Sequence, residues 1–487
     1  MGHQRHTQWC FIRFQGLFTH GIYLTFRGCH TILVKITSPE RRNTPLAIQL
    51  SDHFDYGRLI RFTLPSIAMM VFTSIYSVVD GFFISNFTGI IPFAAINLVF
   101  PFAQMMSCFG FMFGSGGTAL VTATLGAQQK EKAGQIFSML VYIGIAVGVC
   151  LAVPGILFLE PICRLMGADD AMLPYCLIYG RILLAALPAF MLQNMFQSFL
   201  IAAEKPALGL KVTVAAGLTN IFLDWLFIVV LNFGIPGAAA ATALAQCVGG
   251  IIPLVYFLSP NSSLLKLEKF RFDLTALKTS CTNGLSELVT NISMSLGSML
   301  YNLQLMKFAG SNGVAAFGAV MYVSFVFVAV FLGYSIGAAP VIGFHYGAQD
   351  HDELKGLFRK SNVLVLASGT VLAAVAFGLA RPLAWAFVGE DAELLAMTAT
   401  AFRFYAPAVL FSGFNIFASA FFTALNNGII SATVSFLRTL VFQIAAVLIL
   451  PLIWGVNGIW SSLFVSEMLA SGVAVLLYIR EKKIYHY

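Results

Sequence analysis

Four carboxylic acids lie inside stretches of chain that are otherwise apolar: Asp80 within IYSVVDGFF, Asp224 within TNIFLDWLF, then Glu287 and Glu467. An ionised side chain in the bilayer interior costs on the order of 3 kcal/mol on insertion scales, so such residues need a partner or a purpose. Asn220 and Asp224 are four residues apart and stack on one face of a helix. Polar groups stacked on one face of a greasy helix point at a cavity and not at lipid. Thr242, in the small-residue run GAAAATA, can add a hydroxyl. Asp80, Asn220, Asp224 and Thr242 together offer only oxygen-bearing groups, which suits a hard cation such as sodium. The set suits a proton equally, because two close, desolvated carboxylates can hold one between them near neutral pH. Ion or proton coupling is the stronger reading of Asp80 and Asp224; a structural hydrogen bond is the plain alternative. Glu287 can serve a cationic substrate, carry a second proton, or sit at the interface. Glu467 reads as a structural partner of neighbouring helices.

The elements that carry these acids must be membrane helices. The chain is 59% hydrophobic and only 10% charged, against about 25% charged in soluble domains. Its mean hydropathy is +0.85. A membrane helix needs about 20 mostly apolar residues. Twelve such runs are predicted, near 58–84, 93–120, 135–158, 175–202, 210–231, 238–258, 281–306, 314–340, 361–385, 397–424, 432–454 and 457–479. The predicted fold is therefore all-α and embedded in the lipid bilayer.

The chain also matches itself. LGAQQKEKAGQIF at Leu125–Phe137 returns 221 residues later as YGAQDHDELKGLF at Tyr346–Phe358. The same offset pairs Gly89 with Gly310, Asn194 with Asn415 and Gly234 with Gly455. Two six-helix copies in one orientation form two pseudo-symmetric lobes related by an axis along the membrane normal, an arrangement found in transporters. Asp80 aligns with Tyr301 and Asp224 with Ala445, so the acid pair belongs to the first copy alone. A group required by the shared fold would appear twice. Of 28 basic residues, all but Arg164, Arg181, Lys307, Arg381 and Arg403 fall on alternate loops and the terminal regions, Arg438 being counted with these. The positive-inside bias puts that face, and both termini, in the cytoplasm. The expected organisation is a cytoplasmic, disordered extension (1–55), an N-terminal lobe (56–258), a linker (259–280), a C-terminal lobe (281–480) and a short tail (481–487).

Other features carry less. The net charge of +7 is spread between apolar blocks and forms no nucleic-acid patch. The eight cysteines include no CxxC pair and read as small buried hydrophobes. His3, His6, His20 and His30 lack ligand spacing, and no metal is expected beyond sodium at the acid site. No P-loop, HExxH or nucleophile motif is present, so the chain is not expected to be an enzyme, to use ATP or to hold a cofactor. Met191, Met195, Phe196 and Phe199 fall at helical spacing and could line an adaptable, poorly selective cavity, with core packing the plainer reading of any single one. Pro65 shares a helix with Asp80, where a bend could couple to protonation; a static kink is the plainer reading.

VVDGFF at Val78–Phe83, the Gly-Ala-Gln loops at Gly126 and Gly347, NIFLDWLFI at Asn220–Ile228 and GIPGAAAAT at Gly234–Thr242 resemble the multidrug and toxic compound extrusion (MATE) family, in its MepA-like bacterial branch. The resemblance covers about residues 55–480. It implies two lobes around a central cavity open to alternate sides, exporting organic cations from the cell in exchange for sodium or protons. It implies that Asp80, Asn220, Asp224 and Thr242 form the coupling site, that Pro65 marks a helix bend, and that Asn194 lies near the same site. Branches with a C-terminal-lobe site carry acids in helices 7 and 10. Glu287 could supply the first, but the tenth span has none, which favours the N-terminal lobe. Implied partners are cationic amphiphiles handled by a monomer in the plasma membrane. A lipid-linked saccharide flippase is the competing reading, disfavoured because diphosphate cargo wants several cavity cations.

Overall fold

A computed structural model describes residues 48–487, residue 390 excepted, so His3, His6, His20 and His30 and most of the extension lie outside the described residues. The first lobe begins at Asp55, whose carboxylate accepts from the Arg58 amide at 2.7 Å and caps α1, Tyr56–Phe87. There follow α2 (Ile90–Gly126), α3 (Lys130–Leu157) and a short α4 (Leu159–Leu165). Next come α5 (Leu173–Ala185) and α6 (Leu187–Ala202), which are one span bent by 54°. Pro188 in the first turn of α6 supplies no amide to the turn before it, so the ladder breaks there. Then come α7 (Pro206–Asp224), which runs on through a π turn at Trp225–Val230, and α8 (Ile235–Leu258).

The second lobe opens with α9, Leu274–Gly347, a run of 74 residues. At 1.5 Å per residue it would be about 110 Å long, far beyond the ~30 Å hydrocarbon core. It is two spans, 274–309 and 311–347, because Gly310 takes φ 62° and ψ −156° and turns the chain. Then follow α10 (His351–Gly378), α11 (Ala380–Val388), α12 (Ala392–Ala424), α13 (Gly428–Trp454, with a π turn at Leu437–Phe442) and α14 (Val456–Tyr485). Counting the bent pair once and α9 twice gives twelve spans, and there is no strand among the described residues. Each lobe has its own apolar core. One centres on Phe137, Phe199 and Phe257, the other on Phe331, Phe402, Phe421 and Tyr478.

The repeat is written into the backbone. Left-handed residues recur in pairs: Gly89 with Gly310, Gln128 with Gln349, and Gly234 with Gly455, each 221 apart. Gly167 with Gly389 and Glu204 with Asn426 are 222 apart. The second copy has therefore gained one residue before Gly389 and given it back before Gly455. Within this stretch Asn415 is the structural counterpart of Gln193, and the pairing of Asn194 with Asn415 is corrected accordingly.

The lobes meet through glycines on the face that carries the basic loops. A Cβ on Gly126 would overlap the backbone of Phe344, and one on Gly347 would overlap Ala123. Ala123 and Phe344 are themselves repeat counterparts, so the two contacts are related by the pseudo-twofold. Gly116 against Gly284, and Gly337 against Thr63, repeat the pattern one layer deeper. Backbone approaches this close are open only to residues lacking a side chain. The same face corrects the expected extent of the N-terminal extension: residues 48–55 are packed against the lobes, with Leu50 and Phe54 fully buried.

Candidate functional site

Asp80 on α1 and Asn220 and Asp224 on α7 come together inside the N-terminal lobe. Asn220 is 2% exposed and Asp224 0%. The Asn220 amide donates to Asp80 Oδ1 at 3.3 Å. Both Asp224 oxygens and Asn220 Oδ1 find no donor among the described residues. The Asp224 carboxyl faces that of Asp80 at hydrogen-bonding range, but two carboxylates offer each other only lone pairs. The cluster is rich in acceptors and holds one amide donor. A proton or a small cation between the acids would supply what is lacking, since an unpaired buried acceptor costs about 1–3 kcal/mol. Asp224 is also the last α-helical residue before the π turn; such turns insert an extra residue per turn and occur often at functional sites.

Thr242 on α8 donates its hydroxyl to the Ala238 carbonyl at 3.1 Å, so it turns only lone pairs outward. Beside it lies the phenol of Tyr179 from α5, fully buried and within the field of both acids. Tyr76 on α1 approaches Asp80 and meets the Gln193 amide. Sequence reasoning missed Tyr179 and Tyr76. Their signal was a hydroxyl carried within an apolar run, which needs a partner once buried.

The remaining site candidates are dispersed. Asn194 donates to the Ser107 carbonyl of α2 at 3.4 Å, bonding within the contact of α2 with α6. Met191, Met195 and Phe196 are at most 1% exposed, and the sulfurs of the two methionines lie over Gly148 and Gly144 of α3. The expectation that these three line a cargo cavity is corrected: they fill the lobe's core. Pro65 lies within α1 without ending it.

Glu287, on the first arm of α9, lines a cavity between the lobes of about 30 Å³. It shares that space with Ser115, Thr118, Ser198 and Ser335, and the hydroxyls of Thr118 and Ser335 lack partners among the described residues. A few waters fill such a volume, so drug-sized cargo requires the lobes to part.

Arg438 does not sit at a loop. It lies in the π turn of α13, ten residues past the helix start, and makes a bidentate pair with Glu467 of α14 at 2.8–2.9 Å. Asn415 adds a bond to Glu467 at 2.6 Å. Assigning Arg438 to a basic loop was wrong because α13 starts at Gly428, immediately after the short turn at Asn426–Asn427. The C-terminal lobe thus holds its own buried cation, already neutralised.

Against known proteins, the chain is 22% identical over 424 residues to the multidrug export protein MepA of Staphylococcus saprophyticus, covering 86% of this chain and 92% of that one. MepA of Staphylococcus haemolyticus gives 22% over 430 residues, 87% and 93% of the respective chains. Among solved structures, a MATE in complex with MaL6 superposes with a TM-score of 0.86 at 22% identity, over 91% of this chain and 100% of that one. An outward-facing conformation of a multidrug resistance MATE family transporter of the MOP superfamily gives 0.85 at 23% identity, with the same coverage. Both are likenesses of fold. The MatE family model matches twice, at residues 65–226 and 288–449, once in each lobe. A helical membrane protein whose two copies each match that model belongs to the MatE family of membrane transporters.

Proposed function

We propose that the protein is a secondary active multidrug efflux antiporter, exporting cationic amphiphiles in exchange for sodium or protons bound between Asp80 and Asp224. The observation that carries this reading is the carboxylate pair of one lobe, absent from the other, in which Asp224 is fully buried without a donor among the described residues and faces the partly buried Asp80. Loading a cation there neutralises the pair and relieves their repulsion. Unloading it restores two facing charges in a low-dielectric lobe, which favours a rearrangement of α1 against α7. Alternation between the two states moves the cavity at Glu287 from one side of the membrane to the other. Glu287, ringed by hydroxyls, suits a positively charged cargo head. In this reading Asn194 on α6 and Pro65 on α1 are supporting positions outside the acid cluster.

We place the protein in the plasma membrane as a monomer, with the basic face and both termini in the cytoplasm. The glycine contacts then close the cytoplasmic side. Cationic cargo is favoured over lipid-linked diphosphates because Arg438 is spent on Glu467, while Arg181 and Arg403 are exposed away from the cavity lining. Ethidium efflux from cells expressing wild type, Asp80→Asn and Asp224→Asn tests the reading. Loss of gradient-driven efflux with normal membrane expression is expected, and undiminished efflux in either variant would refute the site.

A further inference from the structure

Residues 48–55 touch both lobes on the basic face. The Leu50 amide donates to Glu204 Oε1 at 2.7 Å. Glu204 belongs to the turn between α6 and α7, in the N-terminal lobe. Four residues on, the Phe54 amide donates to Glu353 Oε1 at 2.9 Å, and His53 Nδ1 pairs with the other Glu353 oxygen. Lys360 Nζ donates to the Phe54 carbonyl. Glu353 and Lys360 are both on α10, in the C-terminal lobe. Phe54 is 0% exposed and meets the rings of Phe62 and His345 edge-on at 5.8 and 6.5 Å. These residues precede the stretches matched by the family model, and Glu353 aligns with Lys132 in the first copy, so the arrangement is not a product of the repeat.

We propose that residues 48–55 form a strap that ties the two lobes together on the basic face and must release one foot before that face can open. The inference rests on the antiporter reading for its orientation and use, but not for the contact itself. Its mechanics follow from reach. The four residue steps from Leu50 to Phe54 span at most about 14 Å when extended, and the two from Phe54 to the start of α1 at Tyr56 at most about 7 Å. The strap can therefore follow only a limited parting of the lobes before one foot breaks. The two feet are unequal. The C-terminal foot combines a backbone bond to a buried carboxylate, an ion pair, a lysine on a carbonyl and a buried ring. The N-terminal foot is a single charge-assisted bond and the Leu50 side chain. The weaker foot does not free the lobes: Phe54 runs into α1 of the N-terminal lobe at Tyr56, so the foot on α10 is the one that must release before the glycine seam between α2 and α9 separates.

Hydrogen exchange on the full chain in lipid nanodiscs, read by mass spectrometry, tests this without labels or cargo. In Glu353→Ala, the ends of α2 (119–127) and of α9 (340–348) should exchange about tenfold faster than in wild type, the shift expected for losing a charge-assisted bond that holds a closed state. Exchange at the opposite face, in 235–245, should not change. Glu353→Gln, which keeps an acceptor for the Phe54 amide, should restore most of the protection, and Glu204→Ala, which frees Leu50 alone, should leave both helix ends as slow as wild type. Loss of protection in Glu353→Ala confined to 48–55 would overturn the proposal, and so would Glu353→Gln behaving like Glu353→Ala. If Glu353→Ala misfolds, Lys360→Met removes the donor to the Phe54 carbonyl and should give a smaller opening of the same two segments; no opening there would equally overturn it. Absence of drug efflux by wild type would sink the antiporter reading and leave these exchange results standing.

Discussion

Replacing Asp224 with asparagine separates a structural carboxylate from a functional one. Asp224 is fully buried, and neither oxygen meets a donor among the described residues. The amide has the same shape and brings a second NH2 group to a set that holds one, that of Asn220. It can donate to Asp80, and it removes a buried charge. Each buried acceptor that gains a donor recovers about 1–3 kcal/mol. Asp224→Asn should therefore melt at or above the wild-type temperature. Its effect on coupling should be opposite and larger. A carboxylate about 4 Å from a bound monovalent cation, at an effective dielectric constant of ~20, contributes roughly 4 kcal/mol, so losing it weakens cation binding about a thousandfold. Purified protein in detergent gives the melting curve, and ethidium efflux from expressing cells gives the coupling. A variant that melts several degrees lower yet pumps normally would refute the reasoning and make Asp224 a structural residue.

In the C-terminal lobe, Arg438→Met should destabilise by about 3–5 kcal/mol because Glu467 is left buried and unpaired, and Arg438→Met with Glu467→Met should recover most of it; a thermal double-mutant cycle measures both, and additive losses would contradict the pairing. Gly126→Ala places a methyl against the Phe344 backbone. It should hold the basic face apart and cut efflux at least tenfold, whereas Gly378→Ala, with open space around it, should be silent. Equal efflux from the two alanine variants would remove the seam's role. Glu287→Gln should weaken export of cationic cargo more than of neutral cargo in paired dye assays; equal loss on both would deny Glu287 a part in charge recognition.

The fold was legible because its signals are long and repeated. Apolar runs of membrane length and turn residues recurring at one offset need no tertiary knowledge, and the structure keeps the same turns left-handed in both copies. The acid site was legible for a related reason: Asp80 and Asp224 are costly in lipid and unmatched in the second copy, and Asn220 shares a helical face with Asp224. What was hidden depends on three-dimensional partners. Arg438 looked like a loop residue because its neutraliser, Glu467, lies 29 residues away on another helix. Met191, Met195 and Phe196 form a stripe that reads alike for core and cavity, since every surface in such a chain is apolar. Tyr179 passed as one more apolar residue until the fold brought its hydroxyl to Thr242. The pairing of Asn194 with Asn415 was misread because a single inserted residue shifts a register that residue identity alone cannot see. The π turn after Asp224 has no sequence signature.

Reconstitution into liposomes with sodium and pH gradients imposed separately tests the central claim most directly. Wild type should move ethidium uphill under one of the two gradients. Asp80→Asn should do so under neither, while still carrying ethidium down its own gradient. Uphill transport by Asp80→Asn at the wild-type rate would mean that the acid pair in the N-terminal lobe does not drive the cycle.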